Sequence, residues 1–533
     1  MAPDRRARVQ TRAQVVAEEE EIDLNESVQD ERKKLIDAAG AGRSSMSPDW
    51  LTQLGRLWGG KADVPVADAK ADDIKDLLGG ALFKALYKWM LESGPVYLLP
   101  TGPISSFLVI SDPAAAKHVL QATDNPKRPI YGKGLVAEVS KFLFGDGFAI
   151  TEGDMWRVRR RDVQPALHKS YLDLMIAQVF GPSAHHLAQK LEYVAKSGQT
   201  IDMEACFSQL TLDVIGKSVF NYDFGALTNS SPLIQAVYTA LKETESRSTD
   251  LLPLWKVPLL SNFVPRHRKA TEAVALIRKT TEELIAKCRA MVDAEEQAKF
   301  KEEYINEGDP SVLRFLIASR VEVSAQQLRD DLLSMLVAGH ETTGSALTWT
   351  LYLLAQNPEC MTRAQQEADA VLGADGSVPL NLEAYNKLKY TLRCLAESMR
   401  LYPHPPVLLR RALVPDTLPG GYQVPQNQDV ILSIYNIHHS ADVWEHPHDF
   451  KPERFDLDAP APTEANTGYR YIPFSGGPRK CVGDQFALME AVIALAVVLK
   501  QYSFSVAPGH DPGMTTGATI HTANGMFMHV QKR

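Results

Sequence analysis

From Ser324 to Asn357 the sequence carries the pattern of one uninterrupted helix, and no other stretch constrains the fold as much. Ser324 and Gln327 have the S-x-x-Q spacing of a capping box, a mostly apolar run follows, and Asn357-Pro358 stops it. At 1.5 Å per residue a helix over 325–356 spans about 48 Å, enough to cross a whole domain. Around it the pattern is mostly helical, with a minority of strand. PVYLLPTGPISSFLVIS (95–111) reads as two short β-runs about a Pro-Thr-Gly-Pro turn, and YQVPQNQDVILSIYN (422–436) as a second hairpin. DAPAPTEANTG (458–468) reads as a surface loop rather than a linker.

Composition narrows the function classes. With 533 residues, 45% of them hydrophobic and 23% charged, the chain is globular with material for a large core, and length alone would suggest about three domains. A net charge of −8 without a long basic stripe argues against nucleic acid as a partner. Cys206, Cys288, Cys360, Cys394 and Cys481 are odd in number, scattered and free of any C-x-x-C pair. That pattern argues against a disulfide framework and structural zinc, and for a reducing compartment. Residues 1–45 open with four arginines and one acid in the first seventeen positions and turn acidic from Glu18, which resembles a transit-peptide remnant or a disordered charged tail. No apolar run reaches about 20 residues, so no transmembrane anchor is expected. LLPLWKVPLLSNFVP (251–265), with Arg266, His267, Arg268 and Lys269 behind it, suits peripheral contact with an anionic membrane. The competing reading is a loop packed on the protein's own core.

Chemistry concentrates at a few short motifs. AGHETTG (338–344) lies inside the long helix, where Gly339 costs about 1 kcal/mol relative to alanine and three polar residues interrupt the apolar stripe. The zinc-protease motif H-E-x-x-H fails because position 344 is Gly344. A threonine hydroxyl here can bond back to the preceding turn, and the small Ala338-Gly339 pair could open a groove for a diatomic ligand and water. Glu397 and Arg400 fall at i,i+3 on one helical face, followed by LYPHPPVLLRR, by KPERF with Arg454, and by FSGGPRKCVGDQFA (474–487). Arg479, Lys480 and a helix beginning near Asp484 would favour a thiolate at Cys481, and a buried thiolate needs a cation, for which a metal is the natural choice. Upstream, Trp156 and Arg160 fall at i,i+4 in MWRVRRR. His438, His439, His446 and His448 could suggest a second metal, but a polar loop is the better reading.

Phe474, Gly477, Arg479, Cys481 and Gly483 form F-x-x-G-x-R-x-C-x-G, and with E-x-x-R, P-E-R-F and A-G-x-E-T-T the chain resembles the cytochrome P-450 family of haem-thiolate monooxygenases from about residue 80 onward. The resemblance implies one mainly α domain with a small β region, residues 46–533, in place of three. It implies haem b (iron protoporphyrin IX) with Cys481 as axial thiolate, which favours O–O cleavage, and molecular oxygen with NADPH-derived electrons arriving through a redox partner. Glu341 and Thr342 resemble the acid–alcohol pair that delivers protons as dioxygen is reduced. Glu397, Arg400 and Arg454 resemble a buried triad that locks the cysteine loop, and Trp156, Arg160, Arg410 and Arg479 are candidates for the haem propionates. Arg157, Arg159, Arg161 and Arg411 compete for that last role.

Longer segments, among them LRDDLLSMLVAGHETTGSALTWTLYLL and MTTGATIHTANG, resemble the plastid carotenoid-ring hydroxylases, most of all the ε-ring branch that leads to lutein. This implies hydroxylation at carbon 3 of an ε-ring, a plastid location and a ferredoxin-type or flavoprotein donor. Ala338, Gly339, Val407, Leu408, Leu409, Ala518, Thr519 and Ile520 are the expected pocket wall, apolar enough for a polyene, a sterol or a fatty acid. The alternatives are a β-ring hydroxylase, a monooxygenase of another lipophile, and a haem-thiolate sensor or carrier.

Overall fold

The computed structural model describes residues 64–68, 82–100, 106–229, 232–249, 254–256, 263–298, 308–319, 323–373, 378–517 and 519–533. The expectations for the first 45 residues, for the turn at 101–103, for residues 251–253 and 257–262 of the membrane-contact segment and for Ala518 lie outside the described residues. The long helix runs Ala325–Gln356 and is capped by Ser324, whose hydroxyl accepts the N–H of Gln327 at 3.1 Å. The reciprocal half of the capping box goes elsewhere: the Gln327 side chain donates to the carbonyl of Asp146 at 2.8 Å and to Asp331 at 3.2 Å. It fastens the helix start to the loop after the Leu135–Phe144 helix. Asn357 ends the helix, and Pro358 begins the next one.

This helix is the axis of the core. Leu332, Leu333, Leu347, Leu351 and Leu354 are all fully buried. Met203–Phe220 packs along it, as do Lys389–Leu401 and Asp484–Gln501. Close approach explains the helix-interior glycines. A Cβ at Gly339 would stand 2.5 Å from Ile215 Cδ1, and one at Gly344 3.3 Å from Thr211 Oγ1 and 3.4 Å from the Ser208 backbone nitrogen. A side chain at position 339 would therefore collide with Ile215 of the neighbouring helix.

The largest sheet has the strand order Val96–Pro100, Ser106–Ile110, Asp429–Ser433, Val407–Ala412, Tyr131–Gly132. Its first two strands form the expected antiparallel pair, with Val96 opposite Ile110. The second hairpin is corrected. Gln423–Val424 pairs with Asp416–Thr417, whereas Asp429–Ser433 runs parallel to Ser106–Ile110 and antiparallel to Val407–Ala412. Val430, Ile431 and Leu432 are too apolar for a two-stranded ribbon and are buried between two partner strands. Ser433 then caps a helix, Ile434–His439. No helix among the described residues is long and apolar enough to cross a membrane.

Candidate active site

The cysteine loop is pressed into place by its backbone. Gly477 has φ +68°, and a Cβ there would lie 2.2 Å from the carbonyl oxygen of Leu120, so only glycine lets the loop reach the end of the Pro113–Ala122 helix. The Cys481 N–H donates to the carbonyl of Phe474 at 3.0 Å and closes the loop. Phe474, Arg479, Cys481 and Gly483 line a cavity of about 390 Å³, and the exposure of Cys481 is into that space. The loop's own cations are engaged elsewhere. Arg479 pairs with Asp124 at 2.8 Å, and Lys480 with Glu464 at 3.0 Å and Asp484 at 3.2 Å. Burial therefore wins and pushes the Cys481 thiol up, against the Gly483 N–H, Arg160 and Lys480, which pull it down. The loop's charges by themselves thus leave burial dominant, and the cation that the sequence reading asks for beside Cys481 would have to come from within the cavity.

Trp156 and Arg160 also line this cavity, on one face of the Gly153–Val163 helix as their spacing required. The Arg479 guanidinium lies 4.4 Å from the Trp156 ring centre and that of Arg160 6.0 Å. Arg410 is buried, donating to the Thr123 hydroxyl at 3.2 Å and the Leu409 carbonyl at 2.7 Å. The competing arginines have carboxylate partners: Arg157 with Asp154, Arg159 with Asp331 and Asp162, Arg161 with Asp162, Arg411 with Asp429 and Glu138. Sequence reasoning missed Lys133, which lines the cavity and which burial, Arg410 and Arg479 hold well below the usual lysine range. Its position after the two-residue strand Tyr131–Gly132 carries no motif. Burial likewise pushes Arg410 and Arg479 down to about 10. Three guanidinium groups, Arg160, Arg410 and Arg479, gather here with the two carboxylates Asp124 and Glu152, and Lys133 would hold its charge only beside a further anion. The cavity end is short of negative charge, and a group bringing two carboxylates on a flat apolar body, with a metal for Cys481, fits the residues present.

The central helix contributes Ala338, Gly339, Thr342 and Thr343 to the lining. The Thr342 hydroxyl donates to the Ala338 carbonyl at 2.7 Å, as a threonine bonding back one turn does. Thr343 is buried and its hydroxyl has no hydrogen-bond partner. Glu341 is absent from the lining: it bonds His521 at 2.7 Å and Thr519 at 3.2 Å.

The expected pocket wall is also revised. Strand pleating puts Leu408 on the cavity and sends Val407 and Leu409 to the opposite face, against the cluster around Leu86, Trp89 and Tyr97. Thr519 and Ile520 pack on the central helix instead, where Thr519 meets Ser345 at 3.1 Å and the Ile520 carbonyl accepts from the Trp349 indole at 2.8 Å. Ile215, Val219, Met335, Leu395 and Met399 complete the apolar lining.

Glu397 and Arg400 are both fully buried. Arg400 donates twice to Glu397, at 2.9 and 2.8 Å, and Arg454 once, at 2.9 Å. Their remaining donors go to the carbonyls of His438, Glu445, His446, Pro447 and Asp449 rather than to the cysteine loop. The link to that loop runs through His438, whose Nε2 accepts the N–H of Ile472 at 2.9 Å, two residues before Phe474. Burial and Arg400 lower His438 to about 3, so it is the neutral acceptor this bond needs. The histidine group is divided: His438 and His439 are buried in the Ile434–His439 helix, whereas His446 and His448 are exposed in the loop that follows.

In the segment read as a membrane contact, Phe263 is 80% exposed, whereas Trp255 is half-buried with Arg247 5.4 Å and Lys256 5.2 Å from its ring centre. Arg266 and His267 face the buried Glu243, at 3.0 and 3.5 Å, leaving Arg268 and Lys269 outermost.

Comparison with known proteins gives a family model, "Cytochrome P-450", matching residues 75–528. The chain is 57% identical to "Carotene epsilon-monooxygenase, chloroplastic" of Arabidopsis thaliana over 96% of its length and 94% of the relative's. It is 46% identical to "Protein LUTEIN DEFICIENT 5, chloroplastic" of the same plant, over 89% of this chain and 78% of that one. Farther away, "Taurochenodeoxycholic 6 alpha-hydroxylase" of Sus scrofa is 29% identical over 80% of this chain and 82% of its own.

Proposed function

Because this chain belongs to the cytochrome P-450 family, we propose that it is the monooxygenase that hydroxylates a carotenoid ionone ring, at carbon 3 of the ε-ring, on the way to lutein. The observation that carries this is one cavity lined by Cys481, by the Ala338–Thr343 turn and by aliphatic side chains that suit a polyene. The 57% identity to a carotene ε-monooxygenase over nearly the whole chain supports the choice of ring.

Haem, when bound, supplies an iron that activates dioxygen under the electron push of a thiolate. Cys481 would hold that iron, and Arg160, Arg410, Arg479, Trp156 and the added Lys133 would meet the propionates with the charge this end of the cavity has in excess. Thr342 keeps a hydroxyl on the cavity wall, and Glu341 beside it is the acid that would supply its protons. The dry lining keeps water from the reacting centre. Electrons come from a ferredoxin-type or flavoprotein donor in the plastid, and Phe263 with Arg268 and Lys269 touches the envelope or thylakoid surface where the substrate dissolves.

The test is product analysis with purified holoenzyme, donor and reductase, supplied in parallel with α-carotene and β-carotene. Hydroxylation of the ε-ring alone is expected. Hydroxylation confined to β-rings would replace the substrate reading, and no electron-dependent oxygen uptake with either would favour the sensor or carrier. Cys481→Ser should lose the thiolate-type carbon-monoxide spectrum together with all hydroxylation.

A further inference from the structure

Glu341, the acid of the proposed proton supply, is docked away from the cavity. Its Oε1 meets His521 Nε2 at 2.7 Å, and the other ring nitrogen of His521 lies 3.2 Å from Glu204 Oε1. Glu204, in the first turn of the Met203–Phe220 helix, is in turn held by the Thr522 N–H at 3.1 Å and by the Thr522 hydroxyl. Three elements thus meet in one carboxylate–imidazolium–carboxylate row. It runs inward from solvent: the side chains of His521 and Glu204 are 28% and 19% exposed, that of Glu341 8%.

The row fixes protonation as well as position. Desolvation alone would raise Glu341, but its bond and charge interaction with His521 bring it below the ordinary carboxylate range. Held between two carboxylates, His521 rises to about 10. The other titratable groups facing the row are His340 from the central helix, His404 from the segment before strand Val407–Ala412, and Tyr238 from the Pro232–Thr249 helix. Burial lowers His340 to about 4 and His404 to about 3 and raises the Tyr238 phenol, so all three are neutral around pH 7. His521 is the cation of the group.

We propose that His521, bridged to Glu204, is the positioning residue for proton supply: it docks Glu341 away from the cavity and loads it with the proton that Glu341 then carries to Thr342. In that step, which runs against the resting order of the two groups and goes forward only as the proton is drawn off into the cavity, the Nε2–H bond of His521 breaks as an O–H bond forms on Glu341 Oε1, and the ion pair becomes a transient neutral pair. The neutral acid, no longer held by a cation, turns towards Thr342, the next residue on the helix and part of the cavity wall; its O–H bond breaks as one forms on Thr342 Oγ1, whose own hydroxyl proton passes to the acceptor in the cavity. His521, reached by solvent, regains a proton at Nε2 from water before the carboxylate returns. Glu204 keeps the ring oriented through Nδ1 throughout. The proposal rests on the acid–alcohol reading of Glu341 and Thr342.

Three substitutions separate position, charge and proton. His521→Gln removes cation and proton; His521→Arg keeps a cation that does not give up its proton; His521→Lys keeps both. Holoenzyme reconstituted with its electron donor is assayed for product and peroxide per electron pair, with the solvent isotope effect. His521→Gln and His521→Arg should lose about tenfold or more of the coupling to peroxide, while His521→Lys recovers a substantial part. An independent readout is histidine NMR of the resting ferric holoenzyme, in which the His521 ring should titrate near 10 and fall towards neutrality in Glu204→Gln. Coupling as in the unaltered protein in His521→Gln, or equal coupling in the arginine and lysine variants, would overturn the proposal; if the glutamine variant does not fold, the arginine–lysine comparison decides. Thr342→Ala is the control for the underlying reading. If it couples fully, the acid–alcohol pair is wrong; if it uncouples while the His521 variants do not, only the His521 role is lost.

Discussion

Glu397 sets how much a single buried charge can hold in this protein. Both its oxygens are occupied by two guanidinium groups whose other donors fix the carbonyls of 438–449, and Lys451 adds a backbone N–H at 3.1 Å. Glu397→Gln keeps the shape and removes the anion, leaving Arg400 buried without a counter-charge. Chemical unfolding should then show a loss of about 3–5 kcal/mol, with haem content falling in parallel. A loss under about 1 kcal/mol would show that the carbonyls alone stabilise the arginines. The i,i+3 spacing made the Glu397–Arg400 pair legible, because both partners sit one turn apart. Their route to the cysteine loop was not legible: it passes through the ring of His438, and an imidazole serving as a neutral acceptor leaves no mark in sequence. His521 was hidden as well, because its partners Glu204 and Glu341 are 317 and 180 positions away in the chain.

Elements were readable where their signals are local. The central helix carried its cap, its apolar run and its stop within its own residues, and the Val96–Ile110 hairpin its two runs and turn. Asp429–Ser433 was misread because its partners, Ser106–Ile110 and Val407–Ala412, come from distant parts of the chain, so proximity to Gln423–Val424 was the wrong guide. The cysteine loop gives a test at this scale. Gly477→Ala forces a Cβ against the Leu120 carbonyl at 2.2 Å, a backbone atom that cannot rotate aside, and adds roughly 1–2 kcal/mol for left-handed backbone. The loop must then withdraw from the Pro113–Ala122 helix and carry Cys481 with it. Purified Gly477→Ala should hold little haem and show a carbon-monoxide spectrum shifted from the thiolate type. Full loading with an unaltered spectrum would mean that the helix end yields instead.

At the scale of the whole molecule the question is how a protein with no membrane-crossing helix among its described residues meets a substrate dissolved in lipid. Phe263, 80% exposed, lies two residues before the start of the Pro265–Ala298 helix, and Arg268 and Lys269 in that helix's first turns are exposed. Trp255 belongs to the protein rather than to the lipid, since Arg247 and Lys256 cover its ring and Lys256 is tied to Glu138 at 2.7 Å. The two aromatic residues should therefore respond differently. Phe263→Ser should leave the haem spectrum and thermal midpoint unchanged and weaken flotation with anionic liposomes about tenfold, the equivalent of about 1.4 kcal/mol, near the lower end for burying such a side chain. Trp255→Ser should lower the midpoint before it changes flotation. Raised salt should weaken binding through Arg268 and Lys269 but leave the Phe263 contribution in place, because only the charge term is screened. Turnover of liposome-borne carotenoid by Phe263→Ser should fall while turnover of detergent-delivered carotenoid holds. Equal flotation of Phe263→Ser and the unaltered protein would move the lipid contact to another face of the molecule.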